Sequence, residues 1–224
     1  LEFRRVLFRS RAMGLSRQRL ERVGDWMRRQ IDGGRLAGLG VTVLHRDGIV
    51  FAENAGMADL ARALPLRDDT IVRILSMTKT VTGIALMTLY EEGYFQLDDP
   101  IARWLPAFAT MNVLTGGARG KWETEPARRA ITVRDLLTHT AGFTYGFNGT
   151  SAVDAMYRDA GIDHWNDKDD LATVIDRLAT IPLLFHPGER FNYSFATDVV
   201  GRLIEIMTGL PLDAALQQRV MAPL

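Results

Sequence analysis

The sequence predicts an α/β chain in which a small strand element precedes a largely helical body. Two observations predict it. Residues 41–44 and 49–52 are apolar, β-branched runs separated by Arg46-Asp47-Gly48, and Asp-Gly between such runs signals a hairpin. From residue 77 onward apolar side chains recur at helical spacing, over 77–92, 101–105, 133–139, 154–157, 171–179 and 197–207. A chain of 224 residues with 47% hydrophobic and 24% charged side chains is long and apolar enough to bury a core. None of its runs approaches the roughly 18 uninterrupted apolar residues of a membrane span.

Taken in order, residues 1–10 (LEFRRVLFRS) mix arginines with large apolars in no period that continues, so 1–12 read as a cloning or sequencing scar and Met13 as the start. Leu15, Leu20, Val23, Trp26, Met27 and Ile31 then follow a helical period that stops at Gly33-Gly34. The N-terminal arginines are not followed by the apolar run of an export leader, and the expected location is the cytoplasm. After the hairpin and the first long helix, residues 115–126 (TGGARGKWETEP) are glycine-rich and aperiodic and are expected to form a loop between helices. Their Gly-Gly-x-x-Gly leads to Lys121-Trp122 and lacks the Lys-Ser or Lys-Thr of a phosphate cradle. Thr132 and Asp135 have the spacing of a capping box for the helix over 133–139, with Gly142 past its end. Ser194 is expected to cap the helix that Gly209 and Pro211 terminate, and Pro211 to open a helix over 212–220.

Charge and cysteine content narrow the chemistry. With 27 basic and 27 acidic residues the net charge is zero, so the field of the whole chain attracts neither nucleic acid nor an anionic membrane. Cysteine is absent, which removes disulfides, thiol nucleophiles, iron–sulfur clusters and cysteine zinc sites. His45, His164 and His186 make no ligand spacing. The acidic run around His164 (Asp163, Asp167, Asp169, Asp170) lacks the glycine and terminal glutamate of an EF-hand and reads as a solvated loop. No metal and no cofactor is expected.

Hydroxyl, imidazole, carboxylate and amine groups remain. Only three of the 27 basic residues are lysines (Lys79, Lys121, Lys168), so a lysine beside a hydroxyl is informative. Among the five serines only Ser76 is followed by lysine three positions on, at the start of the apolar helix, where i and i+3 share a face. A serine hydroxyl needs a base within reach, and its tetrahedral intermediate needs donors for the oxyanion. The free N–H groups and positive end of a helix N-terminus favour negative charge near Ser76. Lys79 can serve by losing its proton or by staying charged and lowering the pKa of a second group. His139, with Asp135 at i−4, has the composition of a Ser-His-Asp set, but its place in a last helical turn reads as structural. No Gly-x-Ser-x-Gly elbow occurs, against an α/β-hydrolase.

Ser76-Met77-Thr78-Lys79 resembles the first motif of the serine β-lactamase and penicillin-binding-protein superfamily, in particular class C β-lactamases, DD-peptidases and family VIII esterases. The resemblance continues in Leu97-Asp98-Asp99-Pro100 with Trp104-Leu105-Pro106, in residues 131–143 (ITVRDLLTHTAGF) and in residues 187–194 (PGERFNYS). It implies that Ser76 is the acylated nucleophile, Lys79 its proton-relay partner and Tyr193 the tyrosine of the second motif. One departure stands out. Where class C enzymes and DD-peptidases read Tyr-x-Asn, this chain reads Tyr193-Ser194-Phe195, and a phenyl ring cannot replace the amide that binds an acylamino carbonyl. An aromatic wall suits a simple ester better. Phe143 and Tyr145 are candidates for the same wall or for the core.

The resemblance implies a β-lactamase/transpeptidase-like fold, with a helical domain plus an incomplete antiparallel-sheet domain and Ser76 in the cleft between them. Residues 13–70 are expected to begin the α/β domain, 71–211 to form the mainly helical domain and 212–224 to start the return. The family's third motif, a Lys/His/Trp-x-Gly strand, lies beyond Leu224, so the sequence reads as a C-terminally truncated fragment, inactive by itself. The implied function is a serine carboxylesterase acting through an acyl-enzyme on a small-molecule ester or amide. A class C-like β-lactamase or DD-peptidase, an acyltransferase, and a non-catalytic binding protein of the same fold are the alternatives.

Overall fold

A computed structural model describes residues 14–46, 48–162 and 169–224. The expected scar and Met13, the turn residue Asp47, and most of the acidic run (163–168, with Asp163, His164 and Asp167) lie outside the described residues. The chain divides into two compact units, Leu1–Arg73 and Ile74–Leu224.

In the first unit, helix α1 (Arg17–Asp32) is capped by Ser16, whose side chain accepts from the Arg19 N–H. Strands β1 (Gly38–His45) and β2 (Gly48–Asp59) form the expected antiparallel hairpin, and a short β3 (Leu64–Pro65) pairs with the end of β2. Helix α1 packs on both long strands, with Met27, Val50 and Phe51 buried and Arg28 paired with Glu53. The sheet order is β1-β2-β3, so one side of β1 is an edge among the described residues.

The second unit is mainly helical. Its helices are α2 (Thr78–Glu91), α3 (Val133–Leu137), α4 (Ala152–Asp159), α5 (Leu171–Leu178), α6 (Ala196–Thr208) and α7 (Leu212–Leu216). Helix α6 is the hub, packed against α2, α3, α5 and α7. Its Val199, Val200, Leu203 and Ile204 are buried with Leu86 and Leu89 of α2, Leu136 of α3 and Ile175 and Leu178 of α5. Each such side chain contributes about 1.5–3 kcal/mol on leaving water. The helix expected over 212–220 is shorter as α-helix and continues as a π-turn over Gln217–Met221, where Arg219 reaches Glu92 (2.8 Å) and Thr88 (3.0 Å) at the end of α2.

Three expectations need correction. Residues 115–126 are not a loop: Asn112–Ala118 and Lys121–Pro126 form a second antiparallel hairpin, β4 and β5. Its side chains are largely exposed on both faces, so no apolar alternation marks it; the strands pair through their backbones from Asn112 opposite Pro126 to Ala118 opposite Lys121, and β4 is further tied to residue 183, where Leu114 N–H donates to the Leu183 carbonyl (2.9 Å) and Leu183 N–H to the Asn112 carbonyl (2.8 Å). Ser194 is not the N-cap of α6; that position is Phe195, without a side-chain cap, while Ser194 Oγ accepts from the Ala196 N–H at 3.4 Å. His139 does not sit in the last turn of its helix. Helix α3 ends at Leu137, and His139 lies beyond the Thr138 C-cap with φ +53°.

The capping box of α3 is present and has grown into a network. Asp135, 3% exposed, accepts from the Thr132 N–H (2.9 Å), both Arg129 Nη atoms (2.5 and 2.8 Å) and Thr140 Oγ1 (3.1 Å). Burial raises its pKa, but the Arg129 guanidinium and the Thr132 donors outweigh that and hold it below the ordinary carboxylate value. The two remaining members of the acidic run are also structural: Asp170 caps α5 through the Thr173 N–H, and Asp169 pairs with Arg177 at 3.0 Å.

A group with a depressed folded-state pKa contributes stability above its unfolded value, near 3.9, and that stability is lost as pH falls through the folded-state value. Asp135→Asn removes the charge at all pH values and strands the Arg129 donors. It is expected to cost about 2–4 kcal/mol at neutral pH and to flatten the acid limb of stability in urea unfolding; an unchanged midpoint would refute this role.

Candidate active site

Ser76 sits in the single 3-10 turn Leu75–Met77 that leads directly into α2. The preceding Leu75 has φ +46°, a left-handed conformation that costs a branched side chain of order 1 kcal/mol or more. Lys79, one turn on, places Nζ 3.5 Å from Ser76 Oγ. The shared face read from the i, i+3 spacing therefore exists, although the serine precedes the α-helix.

Tyr193 arrives from 117 residues away in sequence and its hydroxyl donates to Ser76 Oγ at 2.6 Å. Lys79 Nζ stands 4.8 Å from the centroid of the Tyr193 ring and 5.8 Å from that of Tyr145. The Lys79 ammonium and the Tyr193 hydroxyl thus converge on one oxygen, Ser76 Oγ, and Tyr145 flanks the ammonium.

The segment carrying Tyr145 is held by two devices. Gly142, φ +91°, lets the chain pass under residues 183–185, where Leu184 N–H donates to its carbonyl at 2.8 Å and any Cβ would collide with the Phe185 carbonyl oxygen. Asp154, wholly buried at the start of α4, accepts from Thr144 Oγ1 (2.7 Å) and from the Thr150 and Ser151 N–H groups (2.8 and 3.0 Å). The Ser151/Asp154 capping box of α4 has the same spacing as the one at α3, so its signal was present in the sequence.

Electrostatics couples the cluster. Burial pulls the Lys79 ammonium down, but hydrogen bonding to Tyr193 and the electrostatic pull and hydrogen bonding of Tyr145 raise it above the ordinary lysine value overall. Burial pushes the Tyr193 phenol up, and its hydrogen bonding with Lys79 and Ser76, together with the Lys79 charge, brings it below the ordinary value. Tyr145 goes the other way, pushed up to about 12 chiefly by burial. Two tyrosines beside one lysine are thereby distinguished: one phenol is easier to ionise and the other stays protonated.

Of the three aromatic residues considered for the wall, two lie in the core. Phe195 is 2% exposed and packs its ring 4.7 Å from Tyr145 and 6.0 Å from Tyr157, and Phe143 is buried edge-on against Phe108 at 5.8 Å. Both are core residues of the described chain, and Tyr145 alone of the three stands against Lys79. Asn192 carries no role in the sequence reading, yet its Nδ2 donates to the Phe143 carbonyl at 2.8 Å and its N–H to the His139 carbonyl at 2.8 Å. Among the described residues no three His, Cys, Asp or Glu side chains gather as a metal site, and no helix is long and apolar enough to cross a membrane.

The Beta-lactamase family matches residues 23–224 of this sequence, the serine, lysine and tyrosine included. The chain belongs to that family. It is 37% identical over 201 residues to protein Rv1367c of Mycobacterium tuberculosis, covering 88% of this chain and 48% of that protein. It is 36% identical over 192 residues to esterase EstB of Burkholderia gladioli, covering 85% and 46%. Among solved structures, EstCE1, described as a hydrolase with promiscuous acyltransferase activity, superposes with a TM-score of 0.77 at 32% identity over 92% of this chain and 51% of that one. The chain spans about half the length of the curated relatives it matches. The β-lactamase/transpeptidase-like fold, helices with small antiparallel sheets, is the one implied by the motifs.

Replacing Lys79 with Met removes the charge that lowers the Tyr193 phenol. In Lys79→Met the Tyr193 phenol is expected to titrate at higher pH than in the wild type, and Tyr145, relieved of the same counterweight, to rise further. Tyrosinate absorbance combined with Tyr145→Phe separates the two; a Tyr193 titration unmoved by the substitution would contradict the coupling.

Proposed function

We propose that this chain carries the nucleophile and proton-relay group of a serine hydrolase, a carboxylesterase that cleaves simple, short-chain esters through an acyl-enzyme on Ser76. The convergence of Lys79 Nζ and Tyr193 Oη on Ser76 Oγ, at 3.5 and 2.6 Å, carries the reading. Ser76 Oγ attacks the ester carbonyl while its proton passes to Tyr193 as phenolate, and Tyr193 gives that proton to the departing alkoxide as the tetrahedral intermediate collapses, so that it leaves as the alcohol. Water then attacks the acyl carbon, giving a proton to the phenolate, and Ser76 recovers its proton as the acid departs. Lys79 remains charged throughout and stabilises the phenolate. The opposed displacements of the two pKa values, lysine up and tyrosine down, support Tyr193 as the base. The N-terminus of α2 adds favourable potential for the oxyanion.

An ester substrate is favoured over a β-lactam or peptide because the third position of the Tyr-x-Asn motif is here Phe195, a buried ring with no amide to bind an acylamino carbonyl. The names of EstB and EstCE1 agree with it. Transfer of the acyl group to a second alcohol uses the same acyl-enzyme with the alcohol in the place of water, and the description of EstCE1 makes it the second reading.

The test is turnover of short-chain p-nitrophenyl esters, beside a chromogenic cephalosporin, by the complete protein that carries this chain. Ester cleavage is expected, with Ser76→Ala abolishing it together with fluorophosphonate labelling; cephalosporin turnover without ester turnover would refute the esterase. With Tyr193 as base the acylation rate rises with pH toward the lowered tyrosine pKa, and Tyr193→Phe is expected to reduce it about 10²–10⁴-fold.

A further inference from the structure

Tyr193 lies in residues 191–193, which belong to no helix or strand, so no ladder of backbone hydrogen bonds fixes its hydroxyl within reach of Ser76. Beside the Asn192 amide on the Phe143 carbonyl and the Tyr145 ring 5.5 Å from that of Tyr193, the contacts that hold this segment come from His139. The His139 carbonyl accepts from the Asn192 N–H at 2.8 Å. Its Nδ1 accepts from the Ser194 N–H at 3.3 Å and lies 3.4 Å from Ser194 Oγ. Its ring rests 4.9 Å from the Tyr193 ring and 5.8 Å, edge-on, from Phe191. Ser194 is 1% exposed, so water offers its N–H no substitute partner.

We infer that His139 is the positioning residue for Tyr193, working as the neutral imidazole protonated on Nε2. The inference rests on the reading of Tyr193 as proton relay, but the tautomer stands on geometry alone. A backbone N–H can only donate, so the nitrogen facing it must present a lone pair, and the ring proton is left to Nε2. Protonating Nδ1 would set two donors against each other and add a second cation close to Lys79. Lys79 from α2 and the Tyr193 phenol are the titratable groups that bear on the ring. Burial, then the Lys79 charge, holds the imidazole below its ordinary pKa, in agreement with a neutral ring. The backbone asks for the same residue. With φ +53° the position is left-handed, where Asn, Asp and His are enriched among non-glycine residues.

Two substitutions separate the acceptor from mere bulk. Asparagine tolerates the left-handed backbone and can present Oδ1 near the place of Nδ1, whereas alanine presents no acceptor. On the purified protein, the rate of Ser76 acylation by a fluorophosphonate probe is expected to stay within about 3-fold of wild type in His139→Asn and to fall on the order of 10²-fold in His139→Ala, as for a reacting group displaced by about 1 Å. An alanine variant that acylates like wild type, or an asparagine variant that falls as far as alanine, overturns the proposal. The second measurement needs no variant: imidazole ¹⁵N spectra of the wild type are expected to show an unprotonated Nδ1 and a protonated Nε2, with the imidazolium appearing only on the acid side of about 6.5. An Nδ1–H tautomer overturns the proposal even if Ser76 is never labelled, while the absence of labelling in wild type with the expected tautomer refutes the serine hydrolase and leaves the tautomer standing.

Discussion

The arrangement around Ser76 depends on keeping one ammonium charged among aromatic rings. Lys79 is the cation of the site, and its charge is sustained because the hydroxyls and faces of Tyr193 and Tyr145 compensate for the water it gives up. The compensation is reciprocal. A charged lysine makes the Tyr193 phenol easier to ionise, which is what a hydroxyl nucleophile requires of a nearby base. Tyr145, deeper in the core, bears the desolvation penalty and remains a phenol.

That pairing demands backbone order from segments with little regular structure. The loop from His139 to Tyr145 and the segment from Asn192 to Ser194 are fixed to each other by hydrogen bonds to His139 and by the Asn192 amide on Phe143. The first of these is anchored near both ends by two buried carboxylates, Asp135 through Thr140 and Asp154 through Thr144, each satisfied by side-chain hydroxyls and backbone donors. A buried carboxylate with a full set of donors rigidifies a loop as an apolar contact cannot, because losing any one donor leaves a costly unsatisfied charge. Helix α6, buried along Val199, Val200, Leu203 and Ile204, supplies the floor under both segments through Phe195 and Ala196 at its start.

Legibility in the sequence followed how local each signal was. The hairpin around Gly48, the helical runs and the Thr132/Asp135 box are set by spacing within a few residues, and they stand where the pattern put them, to within a turn. The β4–β5 hairpin was invisible because strands exposed on both faces carry no alternation, and their pairing is a property of the backbone. His139 was misplaced by two residues past a helix end, and those residues move it from a capping position to the back of Tyr193.

By itself the sequence determined the chemistry available: no thiol, few lysines, one serine followed three residues later by lysine, and a tyrosine in a matching motif. It also determined that Phe195, not Asn, follows Tyr193-Ser194. Tertiary structure alone decided that Tyr193 meets Ser76 across 117 residues, that Tyr145 rather than Phe143 or Phe195 stands against Lys79, and that His139 serves the tyrosine. The physical reason is that proton affinities depend on distance, burial and neighbouring charge, and these are properties of the folded chain that no local spacing encodes.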